Sequence, residues 1–359
     1  MRLLSTQYSK LKNLSLIFFI TLILFLLLNV FIVFAWPIYN NLNSKKHSYT
    51  NEQVNLLNLS NEDLVILNNE SWRNYDKFRF VPFTGHSEMN RVGKFVNFTE
   101  ENGRKVNRPS FCDKNIYLYG GSTTFGYNVT DYQTIGHYLQ EMLGNTSCVF
   151  NHGRAYYYSK QENNLFINHL ENKKKIDYAI FLDGVNERCG GYEYMRQINN
   201  SFSLLVERPF LMWKISFKNF LLTLPIVQFS NSLFGSNRWV QDVNNNILNI
   251  DSCDSKIGLN KLYESRLSIR EAICKKYNIN CHSFLQPMAG VHGVQIDSLL
   301  SKKRKKMFIK KYNILSDAKG YQNLGYVLDN DTSLSYVDGV HYSPQSNKKI
   351  ALEFYKFLN

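Results

Sequence analysis

Beyond its first 36 residues the chain has no hydrophobic run long enough to cross a bilayer, which argues against further spans. Residues 189–255 come nearest, with Phe210-Leu211-Met212-Trp213 and Phe217–Leu224, but Pro209, Lys214, Lys218 and Pro225 break the run; about 20 apolar residues in a row are needed. No internal repeat is present, so solenoids and propellers are set aside. Gly120–Gly126 is glycine-rich but lacks the Gly-Lys-Ser/Thr ending of a phosphate loop. His282 and His292 stand near Cys281 without zinc-site spacing, and neither a metal nor a cofactor is expected. Acidic charge is short: 42 Lys and Arg against 29 Asp and Glu leave +13. The excess is scattered, apart from Lys302-Lys303-Arg304-Lys305-Lys306 and Lys173-Lys174-Lys175, with no aromatic platform and no nucleic-acid motif. Nucleic acid is therefore not expected as a partner. An anionic lipid surface or an anionic glycan suits this charge, and so does simple solubility.

What is present begins with Leu14–Trp36, a run without charge whose polar relief is Ser15, Thr21 and Asn29. It is long for a cleaved signal, and Val33-Phe34-Ala35 is a poor cleavage site. Residues 13–36 thus read as an uncleaved transmembrane signal anchor. Arg2, Lys10 and Lys12 precede it and no basic residue follows until Lys45. This places residues 1–12 in the cytoplasm and the rest outside: a single-pass protein of the cytoplasmic (inner) membrane, its main domain periplasmic or extracellular. All six cysteines (Cys112, Cys148, Cys189, Cys253, Cys274, Cys281) lie beyond the span. An even number in an oxidising compartment suggests pairing. Cys112 with Cys148 and Cys274 with Cys281 are the natural pairs; six buried free thiols are the alternative.

Residues 37–107 read as a stalk or linker, with a weak helix at Glu52–Leu67 and a small β-hairpin made by Phe78–Phe83 and Gly93–Asn97. The main domain follows at 108–359. Strands at Asn115–Tyr119, Cys148–Asn151, Tyr178–Asp183 and His282–Gln286 alternate with helices at Thr134–Leu143, Ser159–Asn172, Leu259–Lys276 and Pro344–Leu358. Strands separated by helices of this length imply βαβ units and a parallel sheet. Residues 189–255 interrupt the pattern, as an insertion over the cleft or on the membrane, or as extra core helices.

Chemistry-bearing residues stand at the ends of these strands. Ser122, in Gly120-Gly121-Ser122, follows the first; Gly153, in Asn151-His152-Gly153, the second; Asn186, in Gly184-Val185-Asn186, the third. Asp338 and His341 precede the last helix. A glycine–serine turn alone is ambiguous, because most are only turns. With partners it becomes chemistry: a serine hydroxyl attacks once a base takes its proton, an imidazole is suited to that at neutral pH, and a carboxylate on the other ring nitrogen fixes the tautomer. Backbone amides of Ser122 and Gly153, with the Asn186 side chain, would stabilise an oxyanion. Asp183 reads as a support for the third loop, and Gln286-Pro287 as a cleft lining or a turn. The sequons at Asn97 and Asn128 are expected by chance in so asparagine-rich a chain.

These four blocks, in this order over residues 115–359, resemble the SGNH (GDSL-like) hydrolase superfamily, in particular membrane-anchored bacterial members. The first block departs from the founding motif in having Gly121 where it has Asp, and the third ends Asn186-Glu187 instead of Asn-Asp. The resemblance implies a flavodoxin-like three-layer α/β/α sandwich with a parallel sheet, here preceded by one transmembrane helix. It implies a serine esterase in which Ser122 forms an acyl-enzyme, His341 is base then acid, Asp338 orients it, and Ser122, Gly153 and Asn186 form the oxyanion hole. The expected substrate is an acylated glycan or another ester, with removal of an O-acetyl group from a cell-envelope polysaccharide as the leading case. An O-acyltransferase using the same acyl-enzyme, or an inactive glycan-binding or scaffold module, are the alternatives.

Overall fold

The computed structural model describes residues 2–43, 51–71, 78–189, 226 and 258–358, and the chain divides into two units. In the first, α1 (Arg2–Asn43) is one continuous helix. Its stretch Asn13–Ala35, of mean hydropathy 3.1, is long and apolar enough to cross a membrane. Thr21 donates to the Ile17 carbonyl and Asn29 to the Phe25 carbonyl, both at 2.8 Å, so these polar side chains would not be left unsatisfied in hydrocarbon. The expected insertion at 189–255 lies outside the described residues except for Cys189 and Ile226.

The second unit comprises His47–Gly191 and Ile250–Asn359. It opens with α2 (Asn51–Leu57) and α3 (Asn61–Ser71), then a two-stranded antiparallel pair, β1 (Phe78–Val81) and β2 (Gly85–Glu88). The seven-stranded sheet is built from β3 (Phe98–Thr99), β4 (Gly103–Arg104), β5 (Lys114–Gly120), β6 (Ser147–Asn151), β7 (Tyr178–Asp183), β8 (Asn280–Leu285) and β9 (Gln322–Asn323), in the order β3-β4-β6-β5-β7-β8-β9. Strands β6, β5, β7, β8 and β9 are parallel; β4 and β3 add an antiparallel edge. The helices are α4 (Ser122–Phe125), α5 (Ile135–Leu143), α6 (Ser159–Glu171), α7 (Leu259–Tyr277), α8 (Lys302–Ser316) and α9 (Pro344–Leu358).

Alternation along the strands makes the layers, because successive side chains point to opposite faces of a sheet. Ile116, Leu118, Ile180, Leu182 and Phe284 pack with Ile135 and Leu139 of α5, Phe308 of α8 and Ile350 and Phe354 of α9. Tyr117, Tyr119, Ala179 and Phe181 pack with Phe166 of α6 and Cys274 of α7. The result is an α/β/α sandwich. Its parallel strands, numbered in chain order, run 2-1-3-4-5. In such a doubly wound sheet the crevice opens at the carboxyl ends of the first and third parallel strands, where the winding reverses. Those strands are β5 and β7, which lead into Ser122 and Asn186.

Residues 51–71 and 78–104 do more than a stalk would. Leu57, Leu64 and Leu67 of α2 and α3 are buried with Val96, Phe98, Phe125, Tyr127 and Val337, because their spacing gives the two helices one apolar face. The hairpin also differs from expectation. Phe78–Val81 pairs with Gly85–Glu88, while residues 93–97 are held by Glu70, whose carboxylate accepts from the backbone amides of Lys94, Phe95 and Val96. Asn102-Gly103 turns instead between β3 and β4 and extends the main sheet. Disulfides join Cys112 to Cys148 and Cys274 to Cys281, with Cα–Cα distances of 5.5 and 6.1 Å; Cys189 is disulfide-bonded as well.

Candidate active site

Strand β5 ends at Gly120, Gly121 caps α4 in extended conformation, and Ser122 is its first residue. The serine amide therefore stands among the N–H groups that a helix start leaves without an intrahelical partner. A side chain at position 121 would begin 2.6 Å from Asn186 Nδ2. The first and third blocks therefore meet at Gly121 and Asn186.

His341 Nε2 lies 2.9 Å from Ser122 Oγ, and His341 Nδ1 lies 2.7 Å from Asp338 Oδ2. Ser122 and His341 are buried, with 9% and 5% exposure. Asp338 Oδ1 accepts the backbone amides of Val340 and His341 at 2.7 and 2.8 Å, and Oδ2 also accepts Asn128 Nδ2 at 2.6 Å. Burial pulls the Asp338 pKa upward, but the His341 charge and the hydrogen bonds from His341 and the Val340 amide prevail and hold it at about 2. An ionised carboxylate only accepts. Nδ1 is then the donor to Asp338, which leaves Nε2 towards the serine hydroxyl. Tyr127 stacks on the His341 ring at 5.8 Å between centroids.

Asn186 follows β7, half-buried, with Nδ2 donating to the Tyr157 carbonyl at 3.0 Å. Its neighbours hold the loop in place. Lys311 of α8, buried and pushed down to about 8 by desolvation, donates to the Val185 carbonyl at 2.7 Å. Glu187, at the other departure from the founding motif, accepts Ser159 N and Oγ at the start of α6, and Arg266 Nη1 at 3.0 Å. One turn earlier, Asp183 takes both ends of the Arg270 guanidinium (2.8 and 3.1 Å) and the Tyr263 hydroxyl.

Gly153 is placed differently from the expectation. Its N–H donates to Asn151 Oδ1 at 3.0 Å, and a side chain there would run into the backbone at Phe125. It packs the second block under α4 and has its amide engaged; the part of this loop that meets Asn186 is Tyr157. Sequence reasoning also missed Asn128, read as a chance sequon. It adopts left-handed backbone (φ 61°), which asparagine tolerates better than most residues, and it steadies Asp338. Buried Arg104 of β4 donates to the carbonyls of Gly126 and Val129 on either side of it and pairs with Asp131 at 2.6 Å. Glu88 of β2 accepts Ala155 N at 2.8 Å. The stretch expected to be a stalk thus braces two of the site's loops. Gln286, at the end of β8, accepts from Thr123 Oγ1 at 2.7 Å, next to the serine. A cavity of about 290 Å³, lined by Lys114, Ser147 and Tyr178, opens at the amino ends of the strands, away from these groups.

The four sequence blocks therefore meet at the switch point of a 2-1-3-4-5 sheet, with serine, histidine and aspartate in one hydrogen-bonded line. This is the α/β/α sandwich that the resemblance to the SGNH hydrolases implied. Among solved structures the chain is similar to a lipolytic protein of the G-D-S-L family from Desulfitobacterium hafniense, at 12% identity over 69% of this chain and 100% of that one, with a TM-score of 0.35. It is likewise similar to a carbohydrate acetylesterase family member from Sinorhizobium meliloti (14%, 68% and 97%, TM-score 0.32) and to a psychrotrophic esterase from Pseudoalteromonas (12%, 68% and 97%, TM-score 0.34). No family model matches the chain, and no curated protein does.

The Asp338 carboxylate links this site to stability. Its folded pKa lies below the unfolded value of about 3.9, so its contribution is fully present above that value and is lost as pH falls through about 2. The contribution is on the order of 2 kcal/mol. Asn128→Ala removes a donor to the charged form and should raise the folded pKa. The expected result is a smaller stabilisation at pH 7 and a weaker acid dependence between about pH 4 and 2. Urea unfolding across that range, on both proteins, checks it.

Proposed function

We propose that this chain is a membrane-anchored, extracytoplasmic serine esterase that removes an acyl group, in the leading case an O-acetyl group, from a cell-envelope polysaccharide. The observation that carries the catalytic part is the unbroken Asp338–His341–Ser122 line, with gaps of 2.7 and 2.9 Å. His341 takes the Ser122 proton as Oγ attacks the ester carbonyl, and the oxyanion meets the Ser122 N–H. A side-chain amide has two N–H donors; Asn186 spends one on Tyr157, and the other faces the oxyanion. With the Gly153 amide engaged by Asn151, the hole consists of these two donors. His341 then returns the proton to the departing alkoxide, and a water activated by the same imidazole hydrolyses the acyl-serine.

The membrane placement rests on α1 and on the basic residues that flank its amino end, and the disulfides fit an oxidising compartment. The polysaccharide rests on that placement. The test is acetate release from an O-acetylated polysaccharide by the full chain in neutral detergent, with and without a glycan acceptor. Acceptor-independent release supports the esterase; release that becomes large only with acceptor would establish an acyltransferase. Failure of Ser122 to label with a fluorophosphonate would sink both and leave a binding module.

A further inference from the structure

The first turn of α8 carries Lys302, Lys303, Arg304, Lys305 and Lys306, all exposed. Its position is set by the two loops nearest the site. Arg304 Nη1 lies 3.6 Å from where a side chain on Gly339, inside the 338–341 block, would begin. The Lys305 stem lies 2.9 Å from the corresponding point on Gly290, in the loop that leaves the carboxyl end of β8. The cationic turn therefore borders the same sheet edge as Ser122.

Nothing in the helix itself calls for this charge. Cations at a helix amino terminus oppose its dipole, and the first turn holds no acidic residue. Among the described residues, Lys302, Arg304, Lys305 and Lys306 have no carboxylate within ion-pair distance. Three other cations around the site stand beside carboxylates: Arg154 beside Glu88, Arg266 on Glu187, Lys349 on Asp331. A row of exposed positive charge beside the histidine loop is kept at a cost to the helix.

We propose that this turn is the substrate-selecting rim of the site, and that the ester it draws in belongs to an acidic polysaccharide, one carrying carboxylates along its chain. The proposal rests on the esterase reading and deepens it. Flexible lysines act as point charges that follow a repeating anionic chain without demanding one geometry, and a cleft rimmed by one sign of charge raises the local concentration of the opposite sign. Arg304 reaches Gly339, two residues before His341 in the chain, so what the turn holds is held by the loop that carries the histidine; that favours a substrate over a lipid surface as its occupant.

The experiment compares the ratio of kcat/KM on an O-acetylated polyuronate to that on an O-acetylated neutral xylan, using the full chain in neutral detergent. Lys302→Gln/Arg304→Gln/Lys305→Gln should lower this ratio by roughly tenfold, and the wild-type ratio should fall as salt rises. Lys173→Gln/Lys174→Gln/Lys175→Gln removes the same charge at the opposite edge of the sheet and should leave the ratio within about twofold, as fits exposed charges away from the site. An unchanged ratio in the rim variant, or an equal fall in both, would overturn the proposal. Retention on immobilised de-acetylated polyuronate reports on the rim even if no ester is hydrolysed, which separates its failure from that of the esterase reading. Rim-dependent retention on phosphatidylglycerol vesicles with none on polyuronate would assign the turn to the membrane and overturn it too.

Discussion

Ser122→Ala should lower ester turnover by at least roughly 10⁴-fold while leaving the thermal unfolding midpoint close to that of the wild type. The reason is the way the line of residues works. Without Oγ there is no acyl-enzyme, and His341 and Asp338 have no proton to manage, so what remains is binding and the oxyanion donors. The fold has little reason to respond. The hydroxyl donates to or accepts from His341 alone among the described partners, and alanine fits the first turn of a helix. Two measurements check this: initial rates on an activated acetyl ester, and covalent labelling by a fluorophosphonate, which should disappear. Equal labelling of wild type and variant would mean that a different nucleophile carries the chemistry.

The second large effect belongs to stability. Arg270 is 1% exposed, its guanidinium lies 3.7 Å from the centroid of the Phe181 ring, and it donates to Asp183, Asn163 and Ser283. Arg270→Met leaves Asp183 buried without its cation, beside Glu162, which burial and the Asp183 charge already push well upward. Breaking a buried pair in this way costs about 3–5 kcal/mol. Urea unfolding should show it, and Asp183→Asn in the Met background should recover part of the loss, since the cost is the stranded charge more than the missing contact. A loss below about 1 kcal/mol would show that the carboxylate is neutral or hydrated in the folded protein. Because Asp183 directly precedes the Gly184-Val185-Asn186 turn, turnover should also fall in the single variant.

Four of the five parallel strands were legible because each is a short run with apolar residues flanked by helices of ordinary length, and their predicted and observed bounds agree within two residues; β9, two exposed polar residues, and the α8 helix before it were not. Ser122, His341 and Asp338 were legible for a related reason: each stands at the end of a recognisable element, where a doubly wound sheet exposes side chains to its crevice. Asn128 and Arg104 were not. Their roles depend on contacts made 210 and about 25 residues away along the chain, and no local pattern announces such a meeting. Gly153 stands after its strand as expected, but that its amide makes a two-residue hydrogen bond to Asn151 was not legible in the spacing.

By itself, then, the amino-acid order determined an apolar helix near the amino terminus, most of the strand–helix alternation and the identity of the residues that could do serine chemistry; it suggested two disulfide pairings, which the structure decided. These are local matters, set by hydropathy period, turn residues and spacing. Tertiary structure decided that Ser122 and His341, 219 residues apart, lie 2.9 Å from each other. It also decided that Glu88 and Arg104 brace the site's loops and that Arg304 lies by Gly339. The physical reason is that such proximities follow from how buried faces of different elements pack, and packing is a property of the whole core.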